Sequence, residues 1–84
     1  MTRDQILAVL KSNLEKVVES ARGRELGESH SLLTDFGADS LEVVEVVSRT
    51  MKELTIKIPR TALSEPKNIG QLLDLFERAA KAGS

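Results

Sequence analysis

The first stretch of the chain has the apolar and polar pattern of an amphipathic helix. Apolar residues recur at intervals of three and four positions from Ile6 to Ala21, with charged residues mostly between them. Thr2 is a candidate N-cap, and Gly23 is placed to end the helix. The pattern therefore predicts a first helix that begins after Thr2, ends before Gly23 and buries one face.

Two further stretches have the same period. The second, from Asp39 or Ser40 to Leu54, contains valines in adjacent pairs three positions apart, which is helical spacing and not the alternation of a strand. Asp39 and Ser40 are both candidate N-caps for this helix. Asn68 is placed to cap a last helix. Its apolar residues are Ile69, Leu72, Leu73, Phe76, Ala79 and Ala80.

The segments between these helices have the composition of loops. Residues 22–38 contain glycines, serines and mixed charge, which predicts one long loop. The apolar residues spaced to fix this loop onto the core are Leu26, Leu32, Leu33 and Phe36. Residues 55–59 are predicted to be extended before Pro59, residues 59–63 to form a short helical turn, and Gly83 and Ser84 to fray.

These elements predict an all-α fold. We expect one domain over residues 1–84, a small helical bundle of three main helices plus one short helix, with the long loop between helices 1 and 2.

Composition and charge exclude several classes of function. A net charge of −1 gives no electrostatic reason to bind nucleic acid, and two phenylalanines are too few to stack on bases. Without cysteine, and with His30 as the one histidine, no metal site is expected. No apolar run approaches the roughly 20 residues of a membrane span, and the first residues lack a signal-peptide core. We therefore expect a cytoplasmic protein with no membrane partner.

The residues also give little reason to expect catalysis. Ser40, His30 and Asp39 could be drawn as nucleophile, base and orienting acid. Nucleophilic catalysis also needs an oxyanion hole and an oriented base, which a domain of 84 residues seldom supplies. We predict no catalytic site and interpret His30 as a solvated loop histidine.

The stretch most informative about function is TDFGADSLE, residues 34–42, which places a serine at a helix start between acidic residues. By its chemistry alone, Ser40 could be a plain N-cap. The longer context is more specific. FGADSL, within LLTDFGADSLEVVEVV, and the later IKIPRTALSEPKNIGQLLDLF resemble the acyl carrier protein family over essentially the whole chain.

The resemblance implies a prosthetic group and a set of partners. Ser40 would carry a covalent 4′-phosphopantetheine arm, added from coenzyme A by a phosphopantetheinyl transferase, with Asp39 beside it. Acyl groups would be held as thioesters on the thiol of the arm. Further partners would be an acyltransferase and a ketosynthase or decarboxylase. In the family, acidic residues near the serine meet basic patches on partner enzymes. Four such acids lie between positions 35 and 45 without a base, namely Asp35, Asp39, Glu42 and Glu45.

The second half of helix 2 departs from the carriers of fatty acid synthesis, in which this surface stays acidic. Between positions 49 and 60 one acid, Glu53, stands against four bases. These bases are Arg49, Lys52, Lys57 and Arg60. The charge of the predicted surface is therefore split, acidic near Ser40 and basic beyond, which favours a specialised carrier.

The segments IPR, KNIGQL and DLF are similar to the free-standing donor carriers of polyketide β-branching cassettes. Such donors present an acetyl group to a condensing enzyme that resembles 3-hydroxy-3-methylglutaryl-CoA (HMG-CoA) synthase. The resemblance implies a monomeric acetyl donor. The alternatives are a carrier for ordinary polyketide or fatty acid chain extension and, in a different class, a small helical adaptor without a prosthetic group.

Helical spacing divides the second helix into two faces. The side shared with Ser40 is expected to hold Leu41, Val44, Glu45, Ser48, Met51 and Lys52. Together with Asp35, Glu42, Arg49 and Arg60, these residues are the predicted partner surface. The opposite, core-facing side is expected to hold Val43, Val46, Val47, Thr50 and Leu54.

Overall fold

The computed structural model describes residues 1–82, which form three α-helices and two short 3₁₀ segments. The α-helices are α1 (Arg3–Val17), α2 (Ser40–Leu54) and α3 (Ile69–Ala82), and the 3₁₀ segments are Glu19–Ala21 and Arg60–Ser64. This part of the chain contains no strand, so the predicted all-α bundle with its long loop is confirmed. The fraying predicted for Gly83 and Ser84 lies outside the described residues.

The helix starts agree with the predicted caps. Thr2 caps α1 in a reciprocal capping box with Gln5. The Asn68 side-chain oxygen accepts a 2.8 Å hydrogen bond from the Gln71 backbone N–H at the start of α3. These side chains satisfy backbone N–H groups that the first turn of a helix leaves without a partner.

The prediction for the end of the first helix was wrong, because α1 stops at Val17. Val18 is extended, and its N–H donates to the Leu14 carbonyl at 2.7 Å. The 3₁₀ segment Glu19–Ala21 follows directly. Because a 3₁₀ helix has three residues per turn, Val18 and Ala21 lie on the same side of the chain. Val18 and Ala21 are therefore buried as a helix would bury them, which is why the apolar period continued past the end of α1.

The core is built from the three α-helices, the first 3₁₀ segment and the connecting loops, and it contains few aromatic side chains. Ile6, Leu10 and Leu14 of α1 face the valines of α2 and the apolar side of α3. The other fully or nearly fully buried side chains include Val46, Val47, Ile69, Leu72, Leu73 and Phe76. Two polar residues share this interior. The Asn13 amide donates to the Thr50 hydroxyl at 3.2 Å, and that hydroxyl donates to the Val46 carbonyl at 2.8 Å.

The long loop is fastened to the start of α3 through His30, so the interpretation of His30 as a solvated histidine was wrong. The His30 carbonyl accepts from the Ile69 N–H at 2.9 Å, and its ring Nδ1 accepts from the Gly27 N–H at 3.0 Å. The half-buried ring meets buried Phe36 edge-on, with centroids 5.6 Å apart. His30 therefore holds the loop that leads to α2.

A cluster of hydrogen bonds and salt bridges connects the first turn of α1, the long loop and α3. The Arg3 guanidinium donates to the carboxylates of Glu28 and Asp74, each at 2.7 Å, and to Glu77. It also reaches the Gly70 carbonyl at 3.0 Å. The hydrogen bond from Arg3 holds the pKa of Glu28 below its usual value. We call Arg3, Glu28, Asp74 and Glu77 the Arg3 cluster.

Gly70, the glycine of the KNIG segment, lies where the loop backbone touches α3. Its N–H donates to the Glu28 carbonyl at 2.8 Å. A Cβ at position 70 would lie 3.3 Å from that oxygen and 3.1 Å from the Glu28 carboxylate, closer than ordinary contact. The glycine therefore has a packing role in this fold.

The connector after α2 differs from the predicted extended segment at its first residue. Thr55 is left-handed, with φ 56°, and closes the helix. The Ile56 N–H then donates to the Met51 carbonyl at 3.0 Å, and the side chains of Ile56 and Ile58 are buried. The short helix begins one residue later than predicted, at Arg60, because Pro59 is its N-cap.

Candidate functional site

The site is built around the first turn of α2, where Asp39 is the N-cap. Its carboxylate accepts from the Glu42 N–H at 2.8 Å, and the Glu42 carboxylate accepts from the Asp39 N–H at 3.1 Å. This capping box involves both acidic neighbours of Ser40. Of the two candidate caps, Asp39 fills the position, and Ser40 is the first residue of the helix.

Ser40 is exposed, and its hydroxyl has no hydrogen-bond partner among residues 1–82. The backbone N–H groups of Ser40 and Leu41 also lack an acceptor in this part of the chain. Free N–H groups at the positive end of a helix dipole suit an anionic group such as a phosphodiester. A phosphate-linked prosthetic group on the Ser40 hydroxyl therefore fits the residues present.

The turn before Ser40 is held in place from inside the molecule. Phe36 and Ala38 are buried, and the Ala38 N–H donates to the Leu32 carbonyl at 3.1 Å. Gly37, between them, is exposed and has a φ of +67°, a conformation that glycine adopts without steric cost. The loop therefore presents Ser40 from an anchored backbone.

The remaining acids of this region are also exposed. The Asp35 carboxylate accepts a 2.6 Å hydrogen bond from the Ser31 N–H and closes the turn before Phe36. Glu45 lies one turn after Leu41 on α2. The four predicted acids thus lie on the surface on both sides of Ser40, and three of them have hydrogen bonds that shape the local backbone.

The outward face of α2 carries apolar as well as polar side chains. Leu41 is 80% exposed and Val44 is 42% exposed. The polar residues of the predicted partner surface that are exposed beyond Glu45 are Ser48, Arg49, Lys52 and Arg60. Val46, Val47 and Thr50 are buried on the other side, and Val43 and Leu54 are half-buried, so the predicted core-facing side is confirmed.

Two apolar residues depart from their predicted positions. Met51, predicted to be on the exposed face, is half-buried and packs against the core. Leu33, predicted to fix the loop onto the core, is 52% exposed. Leu32 and Leu33 are consecutive residues in one turn, so the backbone directs one of them inward and the other outward.

Leu33 instead lines a cleft beside the site that sequence analysis missed. This cleft has a volume of about 330 Å³ and lies between the loop, α2, the second 3₁₀ segment and α3. Its apolar lining includes Val43, Val47, Leu63 and Leu72. The half-burial of Val43 follows from this position, since one side of it faces the cleft. The adjacent pair Leu32–Leu33 was the sequence signal that could have indicated an outward apolar residue.

The four basic residues between positions 49 and 60 divide into one paired residue and three unpaired ones. Arg49 lies 3.8 Å from the Glu45 carboxylate one turn away. Lys52, Lys57 and Arg60 have no ion pair with any of the described residues. The positive half of the predicted surface is therefore exposed and largely unneutralised.

Other kinds of site find no support in the part of the chain that is described. No group of three or more histidine or carboxylate side chains in residues 1–82 is arranged to hold a metal ion. No helix within that range is long and apolar enough to cross a membrane.

Comparison with known proteins gives consistent matches. The family described as "Phosphopantetheine attachment site" matches residues 4–76. The polyketide biosynthesis acyl-carrier-protein AcpK of Bacillus subtilis (strain 168) is 34% identical over 83 residues, which is 98% of this chain and 100% of AcpK. An acyl carrier protein of Porphyromonas gingivalis (strain W83) is 32% identical over 75 residues, 87% of this chain and 96% of that protein.

A solved structure matches the fold. It is the crystal structure of the curacin biosynthetic pathway HMG synthase in complex with acetyl donor-ACP (acyl carrier protein). The TM-score is 0.81 at 34% identity, over 95% of this chain and 99% of the matched chain. Since this chain of 84 residues spans nearly all of the matched chain, the match is to the small carrier in that complex. The chain therefore belongs to the phosphopantetheine attachment-site family and is an acyl carrier protein, with 4′-phosphopantetheine as its prosthetic group.

Proposed function

We propose that Ser40 carries the 4′-phosphopantetheine arm and that the loaded protein donates acetyl groups in polyketide β-branching. The observation that carries the first part is the free, exposed Ser40 hydroxyl at the start of α2, beside N–H groups without acceptors. When attached, the arm supplies the thiol on which an acyl group is held as a thioester. The chain has no cysteine, so this thiol is not duplicated by the protein.

The Ser40 hydroxyl would be the nucleophile of the loading step. Its oxygen attacks the phosphorus of coenzyme A that bears the pantetheine unit, adenosine 3′,5′-bisphosphate leaves, and the hydroxyl proton passes to a base of the phosphopantetheinyl transferase. A serine outside the capping box can be modified without loss of the cap that starts α2. The neighbouring acids Asp35 and Glu45 are exposed and available to basic residues of the transferase.

Two observations support the donor role. The matched solved structure is a complex of HMG synthase with an acetyl donor carrier. AcpK is a polyketide carrier that matches this chain over the full length of AcpK. The surface charge of this chain also changes sign, from Asp39 and Glu42 at the start of α2 to Lys52 near its end and Arg60 beyond it. A surface with an acidic half and a basic half can attract a partner whose charges are complementary. Its basic half also repels the basic patches of enzymes that bind wholly acidic carriers.

We infer further that this carrier has no catalytic site of its own. The Asp39 carboxylate caps α2, and the His30 ring accepts from the Gly27 N–H, so neither is arranged as a base for Ser40. Its enzymes would be the transferase, an acyltransferase or a decarboxylating partner that supplies the acetyl group, and the HMG-type synthase. A ketosynthase partner belongs to the alternative role in ordinary chain extension.

Acetyl transfer tests the donor role. The acetyl-loaded protein is mixed with an HMG-type synthase from its own pathway, and acylation of the synthase is followed by mass spectrometry. We expect the acetyl group to move from the arm to a nucleophile of the synthase, leaving the free thiol. If a chain-extension carrier of the same pathway acylates the synthase and this protein does not, the donor role is refuted while the carrier role stands.

A further inference from the structure

An apolar groove lies between the last turns of α2 and the connector that follows. Its volume is about 530 Å³. The residues that line it are Ser48, Met51, Lys52, Thr55, Ile56, Lys57 and Ile58. Ile56 and Ile58 are buried and form the floor, half-buried Met51 forms one wall, and Lys52 and Lys57 are exposed at the rim.

The charged residues that line this groove have one sign. Lys52 and Lys57 have no ion-pair partner among residues 1–82, and no carboxylate lines the groove. By contrast, the larger cleft beside α3 is lined by both Glu77 and Arg78. Lys52 also lies at the negative end of the α2 dipole, which offsets part of its charge but does not replace a counter-ion. The lining therefore favours an occupant that is apolar in its centre and acidic at its edges.

We propose that this groove docks an acidic segment of the HMG-type synthase. An apolar side chain of the synthase would pack against Met51 and the two isoleucines, and flanking carboxylates would meet Lys52 and Lys57. This inference rests on the proposed donor function. It goes further by naming a second contact point, away from Ser40, and the chemistry of the partner surface that fits it.

The placement of the groove gives such a contact a role in orientation. Ser48 and Ser40 are eight residues apart on α2, so about 12 Å of helix separates the groove from the attachment site. The Ser40 end is acidic and the groove end is basic. A partner with the complementary pair of patches can dock in one direction, because reversal would bring like charges together at both ends.

Binding of the acetyl-loaded protein to the synthase tests the groove. Lys57→Glu reverses a rim charge, and Ser48→Trp fills the groove from its exposed edge. We expect each variant to raise the Kd about five- to tenfold, as lost contacts at an interface rim and groove would. Lys16→Glu, an equal change of charge at an exposed position on α1, is the matched control and should change the Kd less than about twofold.

Methyl NMR provides an independent reading of the same contact. The methyl resonances of Met51, Ile56 and Ile58 should shift or broaden when the synthase is added, because these side chains line the groove. The intact mass of each loaded variant should differ from that of the loaded wild type only by the mass difference of the substituted amino acid. Such a result would show that the substitution leaves loading of the arm intact, so that a change in Kd reports on docking.

The outcomes of the binding experiment test the groove proposal and the donor role separately. If the wild type binds the synthase and both groove variants bind equally well, the groove is not the docking site and the donor role stands. If Lys16→Glu weakens binding as much as Lys57→Glu, attraction is general and the groove proposal is overturned. If the loaded wild type does not bind the synthase, the donor role fails and the groove proposal fails with it.

Discussion

The carboxylate of Asp39 accepts a hydrogen bond from the backbone N–H of Glu42 at 2.8 Å, and the Glu42 carboxylate accepts one from the Asp39 N–H at 3.1 Å. Ser40 lies between these two residues and takes no part in the capping box. The start of α2 is therefore stabilised by the neighbours of the serine, and the serine hydroxyl is left for other chemistry.

The capping box predicts which side chain at this turn matters for stability. Asp39→Ala should lower the free energy of unfolding by about 0.5–2 kcal/mol, because the Glu42 N–H loses its partner. Ser40→Ala should change it by less than about 0.5 kcal/mol, since the hydroxyl has no partner among residues 1–82. Urea unfolding measures both, with Asp39→Asn as the control that keeps a capping oxygen. A larger loss for Ser40→Ala than for Asp39→Ala would contradict the assignment of the cap.

The two faces of α2 predict opposite consequences for similar truncations. Val47→Ala should cost about 1.5–3 kcal/mol of stability, because it opens a cavity in the core. Leu41→Ala should leave the melting temperature nearly unchanged, since Leu41 is 80% exposed, and should weaken acyl transfer to partners. Thermal melting and a transfer assay together separate the two roles. A normal transfer rate for Leu41→Ala would remove Leu41 from the partner surface.

Met51 is expected to fall between these extremes. It packs against the core and also lines the groove beyond α2, so Met51→Ala should lower both stability and binding to the synthase. Met51→Leu keeps most of the volume and should restore stability. If Met51→Ala unfolds at the wild-type urea concentration, its contact with the core has no energetic weight.

The buried pair Asn13 and Thr50 predicts a coupling between α1 and α2. Thr50→Val removes the acceptor of the Asn13 amide in a site where these residues are 0% and 1% exposed, and should cost about 1–3 kcal/mol. Asn13→Leu with Thr50→Val replaces both polar groups by apolar ones and should cost less than the sum of the single changes. A double-mutant cycle by urea unfolding measures the coupling. Strict additivity would show that the 3.2 Å contact does not couple the helices.

The Arg3 cluster predicts a loss of stability in acid. The pKa of Glu28 is lowered in the folded protein, first by its hydrogen bond to Arg3, from an ordinary value of 4.5. A depressed pKa adds stability that is present above the unfolded value and is lost as the pH falls through the folded value. The stability difference between wild type and Glu28→Gln should therefore be present at neutral pH and shrink below pH 4.5.

Urea midpoints at neutral and acidic pH test this dependence, with Glu53→Gln as the control. Glu53 is an exposed glutamate without an ion-pair partner among residues 1–82. The effect of Glu28→Gln is expected to be small, because the carboxylate is well exposed and solvent screens it. A difference that grows on acidification would contradict the sign derived for Glu28.

Local signals in the sequence predicted the helices and their starts. The apolar period, the capping residues Thr2, Asp39 and Asn68, and the proline at position 59 all act within a few residues of the structure they define. The choice between Asp39 and Ser40 as the cap was open in the sequence, since both residue types cap well. The structure resolved it through the reciprocal bond with Glu42.

The features that sequence analysis missed depend on residues far apart in the chain. Arg3 and Asp74 are 71 positions apart, and Asn13 and Thr50 are 37 apart. His30 has a structural role because its carbonyl accepts a hydrogen bond from the Ile69 N–H, a contact that no local sequence pattern indicates. The Gly70 of KNIG likewise contributes to the fold through Glu28, so its presence alone says little about which partners the carrier meets.

The central claim, that Ser40 carries the prosthetic group, is tested most directly by intact-protein mass spectrometry. The wild type, Ser40→Ala and Ser48→Ala are incubated with coenzyme A and a promiscuous phosphopantetheinyl transferase. Ser48 is an exposed serine on the same face of α2 and serves as the matched control. The wild type and Ser48→Ala should each gain the mass of one phosphopantetheine arm, and Ser40→Ala should gain none. A Ser40→Ala protein that still gains the arm, or a wild type that gains none, would contradict the claim.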